Sequence, residues 1–274
     1  MWDKKKKAPV VPYLICIVVL WISVFVVSRM LTEYSVLYIE SGVISWQYIV
    51  YVIVGMLFTT PAPMIALFIT LRRSEGITVK EYFKKFLYTE NKILTAVVTG
   101  GFCLLALLFA IMNGIPNGTS WYMMPVGFLV MIPFVGIAEE TGWRGLLQPA
   151  MEEKAGFIVG TIITAAIWGV WHVDLWFDPT SNHYGDSFIG FLLNIVIWSF
   201  ALAAIYKSTR SVAACAIYHA FIDSIGAIYD WNLLFDSFPG NIAVNLYRLI
   251  ILIISITLWI YSDRKRIPEL MSGE

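Results

Sequence analysis

Charged side chains are scarce in this chain of 274 residues. Lys, Arg, Asp and Glu together make up 14% of the sequence, whereas 59% of the residues are apolar. So few polar groups cannot cover a water-soluble globule of this size, and the composition indicates a polytopic α-helical membrane protein. The formal net charge is zero, so the composition gives no reason to expect nucleic acid as a partner.

Cysteines and the common hydrolase signatures are also sparse or missing. Cys16, Cys103 and Cys215 stand singly within apolar stretches, so neither a disulfide framework nor a paired-cysteine metal site is indicated, and we expect small buried side chains. The chain has no His-Glu-x-x-His and no Gly-x-Ser-x-Gly. The zincin and serine-hydrolase classes therefore lose their usual sequence support.

Long apolar runs fill most of the chain. Most of them reach the ~20 residues that a helix needs to cross hydrocarbon, and a spanning segment must be helical because lipid offers no partner for open backbone groups. We therefore predict an all-α polytopic membrane protein, with one domain over residues 1–274 and a bundle of about eight transmembrane helices. The segments are 10–30, 46–71, 93–113, 121–140, 156–177, 188–206, 211–229 and 243–262.

The basic residues predict how this bundle is oriented. All of the nineteen Lys and Arg residues except Arg29 and Arg248 fall on one side of an eight-span arrangement, with clusters at 4–7, 72–92 and 264–266. Cytoplasmic loops carry such an excess, so we expect a multi-pass protein of the cell membrane with both termini in the cytoplasm. Arg29 and Arg248 lie near the outer ends of predicted helices, where a long side chain can snorkel to the interface.

Two connections have distinctive compositions. Residues 72–92 interleave apolar side chains such as Tyr82 and Phe86 with lysines, which suits either a helix lying on the anionic leaflet or a solvated connection. On the opposite side, residues 174–187 carry His183 and several acids. A weak metal contact is conceivable there, but we expect a solvated loop.

Ionisable side chains inside the apolar segments mark the candidate site, because such groups are costly at membrane depth. Glu140 and Arg144 are four residues apart on a helix and can pair, whereas Glu139 points about 100° away and is expected to be free. A free carboxylate in an apolar pocket can work as a general acid or base. The alternative is a pair of acids that marks a helix end at the interface.

Two further helices carry imidazoles. Trp168 lies one turn before His172, and Asp223 lies one turn after His219, where it can orient the ring or share a ligand with it. Taken alone, His172 would be a structural histidine. Counted at 1.5 Å per residue from the cytoplasmic helix ends, His219 lies about 12 Å deep and His172 about 24 Å, so we expect tilted helices or a higher start for the fifth segment.

Taken together, these residues resemble the CAAX protease and bacteriocin-processing family of intramembrane proteases, which includes the type II CAAX prenyl endopeptidases. The segment from Glu139 to Gly145, EETGWRG, matches the family motif EExxxR. Trp168-xxx-His172 and His219-xxx-Asp223 match its other two motifs in order, with Trp where Phe is usual. The resemblance covers residues 120–230, which we take as the family core.

The resemblance implies an intramembrane endopeptidase. Glu139 would activate water with help from His172, while His219 and Asp223 would hold the scissile carbonyl and its oxyanion. Glu140, Arg144 and Trp168 would support them. The substrate would be a membrane-associated peptide or protein, lipidated or hydrophobic, cleaved within the bilayer in a cavity that opens toward the cytoplasm; the oligomeric state is left open.

The resemblance leaves the catalytic type open between glutamic and metallo. An ionised Asp223 only accepts hydrogen bonds, so it must be protonated, act through His219 or bind a metal. In the metallo alternative, the ligands of a divalent ion such as zinc would be Glu139, His172, His219 and Asp223; otherwise no cofactor is needed.

Two non-proteolytic functions compete with this interpretation. A membrane scaffold or bacteriocin-immunity protein could use the same polar cavity to bind a peptide without cutting it, although the complete set of Glu139, His172 and His219 argues against a degenerate site. A secondary transporter with buried acids would predict two related halves with interrupted helices. Pro61, Pro63 and Pro133 could kink their segments, yet no matching repeat is evident.

Overall fold

All regular elements that the structure describes are helices. The structure is a computed structural model, and it describes residues 8–230 and 242–272. The long apolar runs account for the helices, because each carries its backbone hydrogen bonds internally. In chain order they are α1 (Val10–Ser41), α2 (Trp46–Thr59), α3 (Ala62–Glu75), α4 (Val79–Phe86), α5 (Lys92–Asn113), α6 (residues 123–155), α7 (residues 157–171), α8 (Phe188–Thr209), α9 (Val212–Ile225) and α10 (Ile242–Ser272).

These helices confirm the predicted class, an all-α polytopic membrane protein. Five helical stretches in the described ranges are long and apolar enough to cross a membrane, and the bent pair α2 and α3 makes a sixth. One of the five, Met123–Phe177, contains both α6 and α7, and α9 is a shorter apolar helix. All eight predicted segments are therefore helical, but eight is an approximate number of complete spans.

The chain reverses direction at Gly156, between α6 and α7. Its φ of 79° and ψ of 170° lie in a region of backbone space that is essentially restricted to glycine. Nε2 of Gln148 donates to Oγ1 of Thr161 over 3.0 Å, although thirteen residues of straight helix would separate them by about 20 Å. The reversal lays α7 against α6 and so brings the first two motifs together.

The middle of α6 departs from regular α-helix before the first motif and again within it. Ile132–Ile137 and Trp143–Leu147 are π-helical and flank the short α-helical stretch Ala138–Gly142. Such π-helical insertions are rare and often occur at functional sites. At Gly136, α6 touches α9 so closely that an added Cβ would lie 2.3 Å from the carbonyl oxygen of Ala216. This contact positions the third motif beside the first.

The two ends of the bundle differ in composition. At one end, Lys207 near the end of α8 pairs with Glu152 of α6 and lies 2.8 Å from Asp263 of α10, and the backbone N–H of Glu90 donates to the carbonyl of Thr209. At the other end, residues 173–187 lead into the start of α8. Residues 72–92 and 174–187 therefore lie at opposite ends, as the charge pattern predicts. Lys4 to Lys7, which also support the predicted orientation, lie outside the described residues.

Of the two interpretations of residues 72–92, the helical one is confirmed over Val79–Phe86. Thr78 and Glu81 form a reciprocal capping box that starts α4. Tyr82 and Phe86 are buried, and the Tyr82 hydroxyl donates to the carbonyl of Met64 over 3.2 Å. One face of α4 thus packs on the bundle; contact of its other face with anionic lipid stays a prediction.

The prediction that Arg248 snorkels to the interface is wrong. Arg248 is 4% exposed, and its Nε and Nη2 atoms donate to Oδ1 of Asn194 on α8 over 3.2 and 2.8 Å. The amide gives the guanidinium a partner inside the bundle, so the side chain has no need to reach the surface. Arg29 remains partly exposed, 3.4 Å from Asp178, but it does not lie at a helix end as predicted, because α1 continues to Ser41.

The three cysteines are free, as predicted. Cys215 is buried and Cys16 and Cys103 are partly buried.

Candidate active site

Glu139 lies on α6 in the apolar interior and is 3% exposed. Its Oε2 accepts a hydrogen bond from Nε1 of Trp168 over 2.8 Å and a longer one from Nε1 of Trp143 over 3.4 Å. As predicted, Arg144 pairs with Glu140 and not with Glu139, but Glu139 is not free of hydrogen-bond partners. Trp143 lies one turn further along α6, and the reversal at Gly156 places Trp168 of α7 beside Glu139. Two neutral indoles, rather than a cation, orient the carboxylate.

Glu140 and Arg144 form the predicted pair, completely buried. Nη1 of Arg144 lies 2.9 Å from Oε1 of Glu140, and both side chains are 0% exposed. Nη2 of Arg144 donates to Oγ of Ser199 on α8 over 3.1 Å. The guanidinium carbon lies 4.7 Å from the centre of the Trp168 ring, a distance typical of cation–π contact. The pair therefore holds Trp168 in place as well as α6.

His219 is tied to the same carboxylate, a contact that the sequence pattern did not predict. Nδ1 of His219 lies 2.9 Å from Oε1 of Glu140. Its Nε2 lies 3.7 Å from Oδ2 of Asp223, which agrees with the expectation that the two residues face each other on α9. Because an ionised Glu140 only accepts, Nδ1 donates to it, and Nε2 is the nitrogen that faces the cavity.

His172 ends α7, and its tautomer is fixed by the backbone. Nδ1 lies 2.9 Å from the carbonyl oxygen of Trp168. A carbonyl can only accept, so Nδ1 carries a proton and Nε2 of the neutral ring is left as an acceptor. The Trp168 ring contacts both imidazoles, with centroid distances of 5.8 Å to His172 and 5.1 Å to His219. This large side chain spans the difference in depth that the sequence indicated between the two histidines.

One cavity of about 380 Å³ collects the candidate residues. Glu139, His172, His219 and Asp223 all line it, so the structure brings together residues from α6, α7 and α9. Glu140 and Arg144 lie behind these residues rather than on the wall. The third histidine, His183, also lines the cavity, so all three histidines of the chain lie on the cavity wall.

His183 reaches the cavity because part of the connection after α7 folds inward, so the prediction of a solvated loop holds for only some of its residues. The His183 ring stacks on Trp176, with a centroid distance of 4.9 Å and an angle of 24°. Burial lowers the pKa of His183, an effect that the nearby Asp186 carboxylate opposes. Phe177 and Tyr184 of the same connection are 58% and 56% exposed, so its aromatic content did not indicate which residues face inward.

The sequence comparison agrees with the geometry. Residues 119–225 match the sequence profile of a family described as type II CAAX prenyl endopeptidase Rce1-like. The chain is also 24% identical over 223 residues to a protein named CAAX prenyl protease 2 from Methanococcus maripaludis, covering 74% of this chain and 81% of that protein. We call the matched stretch, residues 119–225, the Rce1-like core because of this similarity. The expected family resemblance is confirmed, and it supports membrane-embedded proteolysis.

The cavity of the Rce1-like core lies at the acidic end of the bundle. Asp174, Leu175 and His183 from the connection after α7 form part of its wall, whereas the basic connection 72–92 lies at the other end. The expectation of an opening toward the basic, cytoplasmic side is therefore not met.

The Rce1-like motif residues are arranged around hydrogen bonds rather than around a common ion. Among the described residues, no three His, Cys, Asp or Glu side chains lie where they could hold one metal. Nδ1 of His172 and Nδ1 of His219 face a carbonyl and a carboxylate, and Oε2 of Glu139 accepts from indoles, which leaves Nε2 of both rings and Oε1 of Glu139 for other partners. A zinc ion held by Glu139, His172, His219 and Asp223 stays a prediction.

Proposed function

We propose that this protein is an intramembrane endopeptidase in which Glu139 activates the attacking water. The observation that carries the proposal is the environment of Glu139, a buried carboxylate that is oriented by two indole N–H groups and opens onto a cavity shared with two imidazoles. A carboxylate held in this way is positioned as a general base, and the cavity excludes bulk water from the reaction.

The reaction divides among five residues. Glu139 takes a proton from water while the water oxygen bonds to the scissile carbonyl carbon, and Nε2 of His172 accepts the second hydrogen bond of that water. Nε2–H of His219 donates to the oxyanion, which requires an imidazolium. Glu140 and Asp223, 2.9 and 3.7 Å from its two nitrogens, stabilise that charge. The C–N bond then breaks, and Glu139 returns its proton to the leaving amine.

Asp223 acts through His219 in this scheme. An ionised carboxylate cannot donate to an oxyanion, whereas it can orient a ring that does. The substrate class that fits is a membrane-associated peptide, because the site lies among the apolar helices of a polytopic membrane protein. The relative's name, CAAX prenyl protease 2, makes lipidated peptides the first candidates, alongside unmodified hydrophobic ones.

The test is cleavage of a panel of membrane-tethered reporter peptides, prenylated and unmodified, by the purified protein. Glu139→Gln and His172→Ala should each lower the rate by at least about 100-fold, whereas the control Glu40→Gln, at an exposed position at the end of α1, should match the wild type. Activity should also survive chelation. Chelator-sensitive cleavage restored by zinc would overturn the glutamate mechanism.

A different outcome would favour the scaffold or immunity alternative. If the folded wild type and both variants bind the same peptides but cleave none of them, the cavity is a binding site and the endopeptidase proposal fails. Peptide binding is measured by the same tethered reporters in a pull-down, so the two functions give separate readouts.

A further inference from the structure

The second apolar segment is broken where it passes the cavity. The end of α2 is π-helical over Gly55–Thr59, and α3 continues at an angle of 50°. Pro63 has no backbone N–H, so the carbonyl of Thr59, which lines the cavity, lacks the usual helical donor four residues later. At membrane depth, irregular backbone is tolerated where it is buried in protein or lines a cavity. On the cavity side the break is therefore a polar wall, whereas Leu57 and Phe58 on its other side are exposed.

Two cavities meet at this break. Beside the cavity that holds the candidate catalytic residues is a second one of about 330 Å³. Thr59 and Thr60 at the break, and Asp174 and Leu175 of the connection after α7, line both cavities. These four residues frame a junction, so a chain bound at Glu139 could continue into the second cavity.

The walls of the second cavity suit a short apolar peptide segment. Phe25, Val52 and Met56 supply apolar surface. Away from the junction, Arg29 and Asp178 form an ion pair of 3.4 Å, and the Tyr51 hydroxyl donates to the same carboxylate. The cavity thus combines an apolar wall with the polar residues of the junction and the ion pair.

We propose that the second cavity is the subsite for the part of an extended peptide that lies next to its scissile bond. Apolar side chains of the peptide pack against Phe25, Val52 and Met56, and one of its backbone N–H groups donates to the Thr59 carbonyl at the break between α2 and α3. An extended strand advances about 3.3 Å per residue, so consecutive residues occupy the two cavities in turn. This inference rests on the proposed function and assigns the specificity of the same site to α1 and α2, outside the matched core.

Glycines offer a matched pair of variants for the test. Gly55 lines the second cavity, and an added Cβ there meets nothing within 4 Å, so Gly55→Leu fills the cavity without a backbone clash. Gly101 is a helical glycine of α5 with equally open surroundings, and it lines neither cavity. Each variant is assayed with a reporter peptide that the wild type cleaves and with versions shortened one residue at a time from each end.

Filling the subsite should penalise long peptides selectively. For Gly55→Leu, we expect KM of the full-length peptide to rise about tenfold relative to that of the shortened one, whereas Gly101→Leu should leave this ratio unchanged. If Gly55→Leu cleaves long and short peptides with the wild-type KM ratio, the subsite is refuted while the endopeptidase proposal stands.

Photo-crosslinking separates the subsite from catalysis. A benzophenone amino acid replaces Val52, which lines the second cavity, or its neighbour Ile53, which is 46% exposed and does not, in the Glu139→Gln background. Crosslinking to the reporter peptide from position 52 but not from 53 supports the subsite even if no peptide is cleaved. Equal crosslinking from both positions, or none from position 52, overturns it.

Discussion

At the scale of single residues, Trp168 has the most contacts with the candidate machinery. Its N–H orients Glu139, its ring covers Arg144, its carbonyl fixes the tautomer of His172, and its edge meets His219. An aromatic ring alone would supply only some of these contacts. The indole N–H is the part that a phenylalanine at this position would lack.

Trp168→Phe should therefore lower kcat while leaving KM nearly unchanged. A hydrogen bond to a charged group contributes about 1.5–3 kcal/mol, so its loss should reduce kcat about 10- to 100-fold. The matched control is Trp143→Phe, which makes the same change at the longer contact of 3.4 Å and should cost clearly less. Steady-state cleavage kinetics of both variants, with their unfolding temperatures, provide the test; equal losses in the two would contradict the assigned role of Trp168.

Local spacing predicted the pairs within one helix but not the contacts between helices. Glu140 with Arg144, and His219 with Asp223, follow from the four-residue period of a helix. The hydrogen bond between His219 and Glu140 and the one from Arg144 to Ser199 each join side chains that are far apart in sequence. The inward position of His183 likewise depends on tertiary packing. These contacts depend on where α6, α7, α8 and the following connection lie in space, which the sequence period does not encode.

At the scale of elements, a single glycine decides whether the motifs meet. Without the reversal at Gly156, residues 123–171 would form one long rod, and Glu139 and Trp168 would lie about 43 Å apart. The predicted fifth segment started at residue 156, beside the reversal, but the predicted fourth segment ended at 140, about fifteen residues before the end of α6. The π-helical stretches were not predicted, although the first of them, Ile132–Ile137, contains Pro133, which the sequence indicated as a possible kink.

Gly156→Ala should destabilise the fold through backbone strain alone. Nothing lies within 4 Å of an added Cβ at Gly156, yet its φ of 79° and ψ of 170° are unfavourable for alanine, at a cost of about 1–3 kcal/mol. The control, Gly100→Ala, adds a methyl group at an equally open position within regular helix and should be neutral or stabilising by up to about 1 kcal/mol. Denaturant unfolding in detergent compares the two, and a wild-type midpoint for Gly156→Ala would refute the strain.

At the scale of the whole molecule, two expectations from the sequence conflict. The basic residues predict that the end carrying residues 72–92 faces the cytoplasm, but the cavity lies toward the other end, beside the acidic connection. Charge counting describes loops and needs no knowledge of packing, whereas the position of a cavity follows from how helices and connections fold together. We therefore keep the charge-based orientation and predict that the substrate reaches the site from the non-cytoplasmic half of the membrane.

Single cysteines at the two ends test this orientation. In a background in which Cys16, Cys103 and Cys215 are replaced by alanine, Tyr184→Cys is at a position that is 56% exposed beside the cavity, and Lys80→Cys lies on α4 at the basic end. Because positively charged loops are retained in the cytoplasm, a membrane-impermeant maleimide should label Tyr184→Cys in intact cells and Lys80→Cys only after permeabilisation. The reverse pattern would place the cavity on the cytoplasmic side, and substrates would then have to come from the cytoplasm.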